Sequence, residues 1–171
     1  RLRRFQAALR ESPGDWLTWL YLTRLQEMRK CDDESRDALG HARQLEVIPG
    51  ETLHWLGVWR HNAGDPDGAV AALSGLLDIR PLRHGSMMYL GEALLRTGNT
   101  AAAEKAFTRA SLSSNPDFLL TLSARVYAHN YWQEAIAVLQ KALGLRPAHV
   151  ATWLALAKIQ SEVYLLADCR E

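Results

Sequence analysis

An all-α fold, a solenoid of stacked antiparallel helix pairs, is predicted by three observations in the sequence. The segments Gly64–Leu73, Gly98–Phe107 and Asn130–Leu139 align position for position: a turn residue, an alanine five later (Ala69, Ala103, Ala135) and a large apolar residue nine later (Leu73, Phe107, Leu139). The turn residues are spaced 34 residues from Gly64 to Gly98 and 32 from Gly98 to Asn130, a period that marks repeat architecture. Each segment is then followed by a stop, Ile79-Arg80-Pro81, Ser114-Asn115-Pro116 and Leu145-Arg146-Pro147, where proline ends one helix or enters the first turn of the next. Upstream of the glycine turns a second amphipathic stretch appears, as Leu53, Leu56 and Gly57 and again as Met87, Leu90, Gly91 and Leu94.

Taken in order, Phe5, Ala8 and Pro13 read as the second helix of a truncated repeat over residues 1–13. The unit 16–49 carries Trp16, Trp19, Leu22, Ala38, Ala42, Leu45 and Pro49, with a lengthened turn expected at Lys30-Cys31-Asp32-Asp33-Glu34-Ser35. Leu53, Leu56-Gly57, Ala69, Leu73, Leu76 and Pro81 define 50–81, and Met87, Leu90-Gly91, Leu94, Ala103, Phe107 and Ala110 define 84–115. Leu119, Leu122, Val126, Ala135, Leu139, Ala142 and Pro147 define 116–147, and Trp153, Leu156 and Ala157 open a partial repeat over 150–171.

Alanine and glycine at the crossings let backbones approach, and leucine and phenylalanine fill the space between layers. No unit can bury its apolar face alone, so residues 1–171 are expected to form a single array with stability accumulating along it. Near its end, Val163, Tyr164, Leu165 and Leu166 form an apolar group that a partial repeat covers poorly, and Arg1-Leu2-Arg3-Arg4-Phe5 lacks both an initiating Met and a signal-peptide core. The chain is therefore read as a piece of a longer protein.

These residues resemble the tetratricopeptide repeat family, whose pattern runs Trp or Leu, Leu-Gly three later, Tyr or another large residue, then Ala, Phe or Leu, Ala and a closing Pro. The resemblance covers nearly the whole chain and implies a right-handed superhelical solenoid whose concave groove is lined by the first helix of each pair. In that geometry the groove positions include Tyr21, Arg24, His54, Trp55, Val58, His61, Met88, Tyr89, Glu92, Arg96, Leu120, Tyr127 and Lys158. Such a mixture of aromatic, apolar and charged groups suits an extended peptide or a helix with a few apolar anchors. The alternative for each residue is packing between repeats. Some members of the family hold a C-terminal carboxylate in a Lys/Asn/Arg clamp. Here the corresponding positions carry His54 and Val58 in one repeat and Met88 and Glu92 in the next, which disfavours a receptor of that kind.

Composition narrows the rest. At 48% hydrophobic, 171 residues can bury a substantial core without metal or cross-links. Twenty Lys plus Arg against 19 Asp plus Glu leave a formal charge of +1, too weak a field to imply nucleic acid or an anionic membrane. No run of about 18 apolar residues suggests membrane insertion. Cys31 and Cys169 lack zinc-ligand spacing and favour a reducing cytoplasm, with the periplasm as the alternative. His54 and His61 stand seven apart rather than the four of a helical chelating pair, so no metal site is expected. For the six tryptophans helical placement points to packing first, with Trp19 and Trp153 read mainly as structural, whereas Trp55 and Trp59, four apart, could form an exposed stripe favouring protein over nucleic acid. Asp32, Asp33 and Glu34 read as solvated loop or helix-capping residues.

No nucleophile elbow, phosphate loop, zinc-protease helix or dinucleotide fingerprint occurs, so neither catalysis nor a cofactor is expected. The expected function is a protein-binding scaffold, with Tyr21, Trp55, Tyr89 and Tyr127 as anchors. Two alternatives stay open: the non-catalytic arm of a larger bacterial enzyme such as a glycosyltransferase, and a self-assembly module forming a homo-oligomer through its groove or an open end.

Overall fold

A computed structural model of the chain describes residues 2–168, with side chains to residue 163. The side chains of Tyr164, Leu165 and Leu166 from the C-terminal apolar group, together with Arg1, Cys169 and Glu171, lie outside the described residues. The described residues form ten α-helices and no strand: α1 (Leu2–Glu11), α2 (Trp16–Met28), α3 (Asp32–Leu45), α4 (Glu51–Ala63), α5 (Pro66–Ile79), α6 (His84–Arg96), α7 (Thr100–Ala110), α8 (Pro116–Ala128), α9 (Trp132–Leu145) and α10 (Val150–Asp168). They group into two compact units, Arg1–Gly98 with α1 to α6 and Asn99–Glu171 with α7 to α10.

In the first unit α1 packs on α2, α2 on α3, α4 on α5 and α5 on α6, while α2, α4 and α6 lie side by side. The turn inside each of the first two complete pairs is closed by a left-handed residue, Lys30 (φ 59°) after α2 and Gly64 (φ 82°) after α4. Lys30 thus holds the position that Gly64 holds 34 residues later, a register that the lysine side chain conceals.

The lengthened turn expected at 30–35 is not found. Helix α3 already begins at Asp32, and Asp32, Asp33 and Glu34 form its first turn, where negative charge complements the exposed N–H groups of a helix start. Asp15 and Asp65 accept the Leu17 and Gly68 N–H groups at 3.1 and 2.9 Å to start α2 and α5. Glu46 reaches forward to accept from the Gly50 and Thr52 N–H groups at 2.8 and 2.9 Å, starting α4 without a short capping residue.

Two clusters of buried residues hold the first helices of this unit. Leu20, Ala42, Leu56 and Ala72 are buried under Trp16, Trp19, Leu39 and Trp59, and Leu9, Leu22 and Ala38 are buried with Leu2, Phe5 and Trp19 against them. Each buried leucine contributes about 1.5–3 kcal/mol from area removed from water. Helix α4 meets α5 closely enough at Gly57 that a Cβ there would stand 2.5 Å from Leu73 Cγ.

In the second unit α7 packs against α8, α8 on α9 and α9 on α10. Asn99 caps α7 through the Ala102 N–H at 3.2 Å, and Asn115 caps α8 ahead of Pro116 in its first turn. Asn130 (φ 67°) closes the turn between α8 and α9. Phe107, Leu119, Leu122, Val126, Ala135, Leu139 and Leu156 are buried here.

Two local devices recur, once in each unit. The arginine before a closing proline turns back on the acid in the first turn of the preceding first helix: Arg80 lies 3.8 Å from Glu51, and Arg146 holds Asp117 through two hydrogen bonds of 2.9 and 3.3 Å. An indole six residues after a proline donates to that proline's carbonyl, Trp19 to Pro13 at 2.9 Å and Trp153 to Pro147 at 2.8 Å.

Candidate interaction face

Helices α2, α4 and α6 stand side by side, with α4 in contact with both of the others. They are joined by a polar seam. Arg60 of α4 donates to Glu27 of α2 through two nitrogens. Arg83, at the start of α6, donates to both oxygens of Glu51 at 2.6 and 3.1 Å. The His54 and Ser86 side chains are 2.8 Å apart, and His61 Nε2 lies 3.0 Å from Glu92 Oε2 with the Tyr89 ring set edgewise at 5.6 Å. Arg96 donates to the His61 carbonyl at 3.0 Å. The pairs named here therefore join α2, α4 and α6 within the unit.

Electrostatics along the seam follow from that pairing. The hydrogen bond from Arg83 holds the Glu51 carboxyl below its ordinary range. Burial, reinforced by the Arg83 charge and partly offset by Glu51, pushes His54 down to about 4, so its imidazole is neutral at pH 7.

Beside the seam runs a row of rings. Phe5 of α1 stacks on Tyr21 of α2 with centroids 6.2 Å apart, and Tyr21 stacks on Trp59 of α4 at 5.0 Å and 30°. Trp59 also rests on the buried Leu20–Leu56 core, which fixes its ring. Tyr21, Arg24, Trp59, Asn62 and Ala63 surround an open depression of about 290 Å³. Tyr21 keeps 45% of its surface exposed. Rings whose faces are held in place, flanked by a guanidinium and an amide, can receive an apolar or aromatic anchor and orient the chain that carries it. Arg24 stands 3.9 Å from Glu27, which ties the edge of the depression to the seam.

The expected groove residues separate into three groups. Tyr21, Trp55 at 41% and Arg96 are exposed in the first unit, and Arg24, His54 and Tyr89 are half-buried there. Val58 (7%), His61, Met88 and Glu92 (both 4%) are buried and present no open surface. Helices α4 and α6 pack on each other, and His61 and Glu92 meet between them. In the second unit Leu120 and Tyr127 are half-buried and Lys158 is exposed. Tyr127 donates its hydroxyl to Glu162, which Lys158 also approaches at 3.9 Å.

The proposed Trp55–Trp59 stripe is divided. Trp55 sets its ring edgewise to His54 at 5.3 Å, whereas Trp59 joins the tyrosine stack. Phe5, Asn62 and Ala63 were not expected at the site, since Phe5 belongs to a helix preceding the first complete pair. Among the described residues no group of three or more His, Cys, Asp or Glu is arranged to hold a metal ion, and no helix is long and apolar enough to cross a membrane.

A family model described as tetratricopeptide repeat matches residues 62–116. No curated protein matches the sequence. Among solved structures, the fold is similar to that of MamA (17% identity, TM-score 0.55, covering 85% of this chain and 86% of that one). It is similar also to YrrB, described as a TPR protein with an unusual peptide-binding site (16%, TM-score 0.53, covering 90% and 80%). A third similar structure is the first TPR of Spaghetti (RPAP3) bound to the HSP90 peptide SRMEEVD (20%, TM-score 0.50, covering 67% and 93%).

Proposed function

The chain carries tetratricopeptide repeats on an all-α solenoid fold, and on that premise we propose that it is a protein-interaction scaffold whose first unit takes a partner peptide or helix at the Tyr21–Trp59 depression. The observation that carries this reading is the Phe5–Tyr21–Trp59 row, an aromatic surface beside an open depression. YrrB and the RPAP3 domain, both described by their peptide sites, lend it support. In this reading Tyr21 and Trp59 hold an apolar anchor of the partner, Arg24 and Asn62 hydrogen-bond its backbone or polar side chains, and Trp55 and Tyr89 extend the contact along α4 and α6. Val58 and Met88 act only by supporting the helices beneath. No step of chemistry is assigned to any residue.

The test is selection of peptides from a random dodecapeptide library on the immobilised chain, followed by affinity measurement against Tyr21→Ala and Asn62→Ala. Both positions are exposed, so far-ultraviolet circular dichroism should be unchanged. Enriched peptides carrying an apolar anchor should bind Tyr21→Ala at least tenfold more weakly. Peptides that bind both variants as tightly as the parent, or a selection that enriches nothing, would overturn the assignment.

A further inference from the structure

We propose that the cleft between α7 and α9 in the second unit is a binding site for an arginine side chain presented by a partner polypeptide. The cleft has a volume of about 300 Å³, the lower end of the range in which ligand pockets fall and suited to one side chain. Its floor is apolar: Phe107, Val126 and Val138 line it and are themselves buried. Tyr131 forms a wall, its ring 6.2 Å from that of Phe107 and tilted by 58°.

The mouth is acidic. Glu104 from α7 and Glu134 from α9 both line the cleft, both are exposed, and neither is paired with a cation among the described residues. The lining holds one cation, Lys141, whose ammonium is engaged by the carbonyl of Ser111, another lining residue, at 2.5 Å. The two carboxylates act on the same place: burial first, and then the charges of Glu104 and Glu134, hold the Tyr131 phenol above its ordinary value. Acids from two different helices thus converge on a cleft with an apolar floor.

That combination selects its occupant. An anion is repelled by the mouth, and a purely apolar anchor would strip water from two carboxylates without replacing it. A lysine would satisfy one carboxylate as a point charge. Arginine lays its methylenes along Phe107 and Val138, places its weakly hydrated plane against the Tyr131 ring and offers separate N–H edges to two carboxylates.

The experiment uses the whole 171-residue chain, labelled with nitrogen-15, titrated with the blocked peptide Gly-Gly-Arg-Gly-Gly and with its citrulline and lysine counterparts. The arginine peptide should shift amide signals clustered at Glu104, Phe107, Tyr131, Glu134 and Val138, with the lysine peptide several-fold weaker and the citrulline peptide inert. Glu104→Gln/Glu134→Gln should weaken the arginine peptide at least tenfold, and Thr108→Trp, which fills the cleft without changing charge, should abolish the shifts. Citrulline binding as well as arginine, shifts scattered away from the cleft, either variant binding like the parent, or no shift at 10-fold molar excess over millimolar protein would each overturn the proposal.

Discussion

Arg83 grips Glu51 through two parallel hydrogen bonds of 2.6 and 3.1 Å, joining the first turn of α4 to the residue that precedes α6. Arg80 lies 3.8 Å from the same carboxylate, so one acid orders two arginines of the segment between α5 and α6. The pair is about four-fifths covered, with side-chain exposures of 22% and 16%, which lifts it above a surface ion pair without the full desolvation cost of the deep interior. A double-mutant cycle of Glu51→Gln and Arg83→Gln, read by urea denaturation, should show a coupling of about 1–2 kcal/mol. A coupling near zero would mean that the bridge is formed but does not stabilise.

His54 gives the unit a pH dependence whose sign is fixed by burial. Its folded-state value is pushed from 6.5 to about 4, so between those limits the unfolded chain binds a proton that the folded chain refuses. Stability is full above pH 6.5 and falls as the pH is lowered towards 4, after which this group adds no further loss. The charged groups facing it are Glu51, Arg83 and Arg80. The full shift would correspond to about 3 kcal/mol, and solvent screening of a group that is not fully enclosed reduces this to roughly 1–2 kcal/mol. Glu51, held low by Arg83, adds its own loss at still lower pH. His54→Gln keeps a partner for Ser86 but cannot titrate, so it should lose about 1–2 kcal/mol less than the parent between pH 7 and pH 4.5. An imidazole titrating near 6.5 by NMR would remove the basis for this expectation.

The helical periodicity, the alanine and leucine spacing and the prolines made the fold legible, because the positions that pack two helices together cannot vary freely in size. The first pair was less legible for a specific reason. Glycine at 64 and 98 declares a left-handed turn, whereas Lys30 adopts the same conformation without declaring it. The site was only half legible. Position within a first helix nominated side chains for a groove but could not tell which of them the surrounding helices cover, and Val58, Met88, His61 and Glu92 are buried. Likewise the stacking of Tyr21 on Trp59 joins residues on two helices, a contact that spacing along one helix cannot reveal.

Lys30 is expected to be a weak point that substitution can improve. At φ 59° its Cβ crowds the backbone, and only glycine adopts that conformation without penalty. The backbone bonds that close the turn, from the Lys30 N–H to the Glu27 carbonyl and from Cys31 to Gln26, both at 3.0 Å, use no lysine side-chain atom. Lys30→Gly should therefore stabilise the chain by about 0.5–1 kcal/mol, whereas Gly64→Ala at the matching turn should destabilise it by a similar amount. Thermal unfolding of the two variants checks both signs.

The tight crossing of α4 on α5 gives the last expectation. Gly57 is buried, and a Cβ built on it would stand 2.5 Å from Leu73 Cγ and 2.7 Å from Leu73 Cδ2. Leu73 is wholly buried, so its side chain can yield only by disturbing the packing around it. Gly57→Ala should cost about 1–3 kcal/mol even though alanine is the better helix former. Leu73→Ala alone should cost about 2–5 kcal/mol as a cavity mutation. In that background the obstructing atoms are gone, and Gly57→Ala should become neutral or stabilising, because the added methyl enters the vacated space and the helix gains up to about 1 kcal/mol from lost glycine flexibility. If urea denaturation finds the two costs simply additive, the strain at Gly57 comes from somewhere other than Leu73.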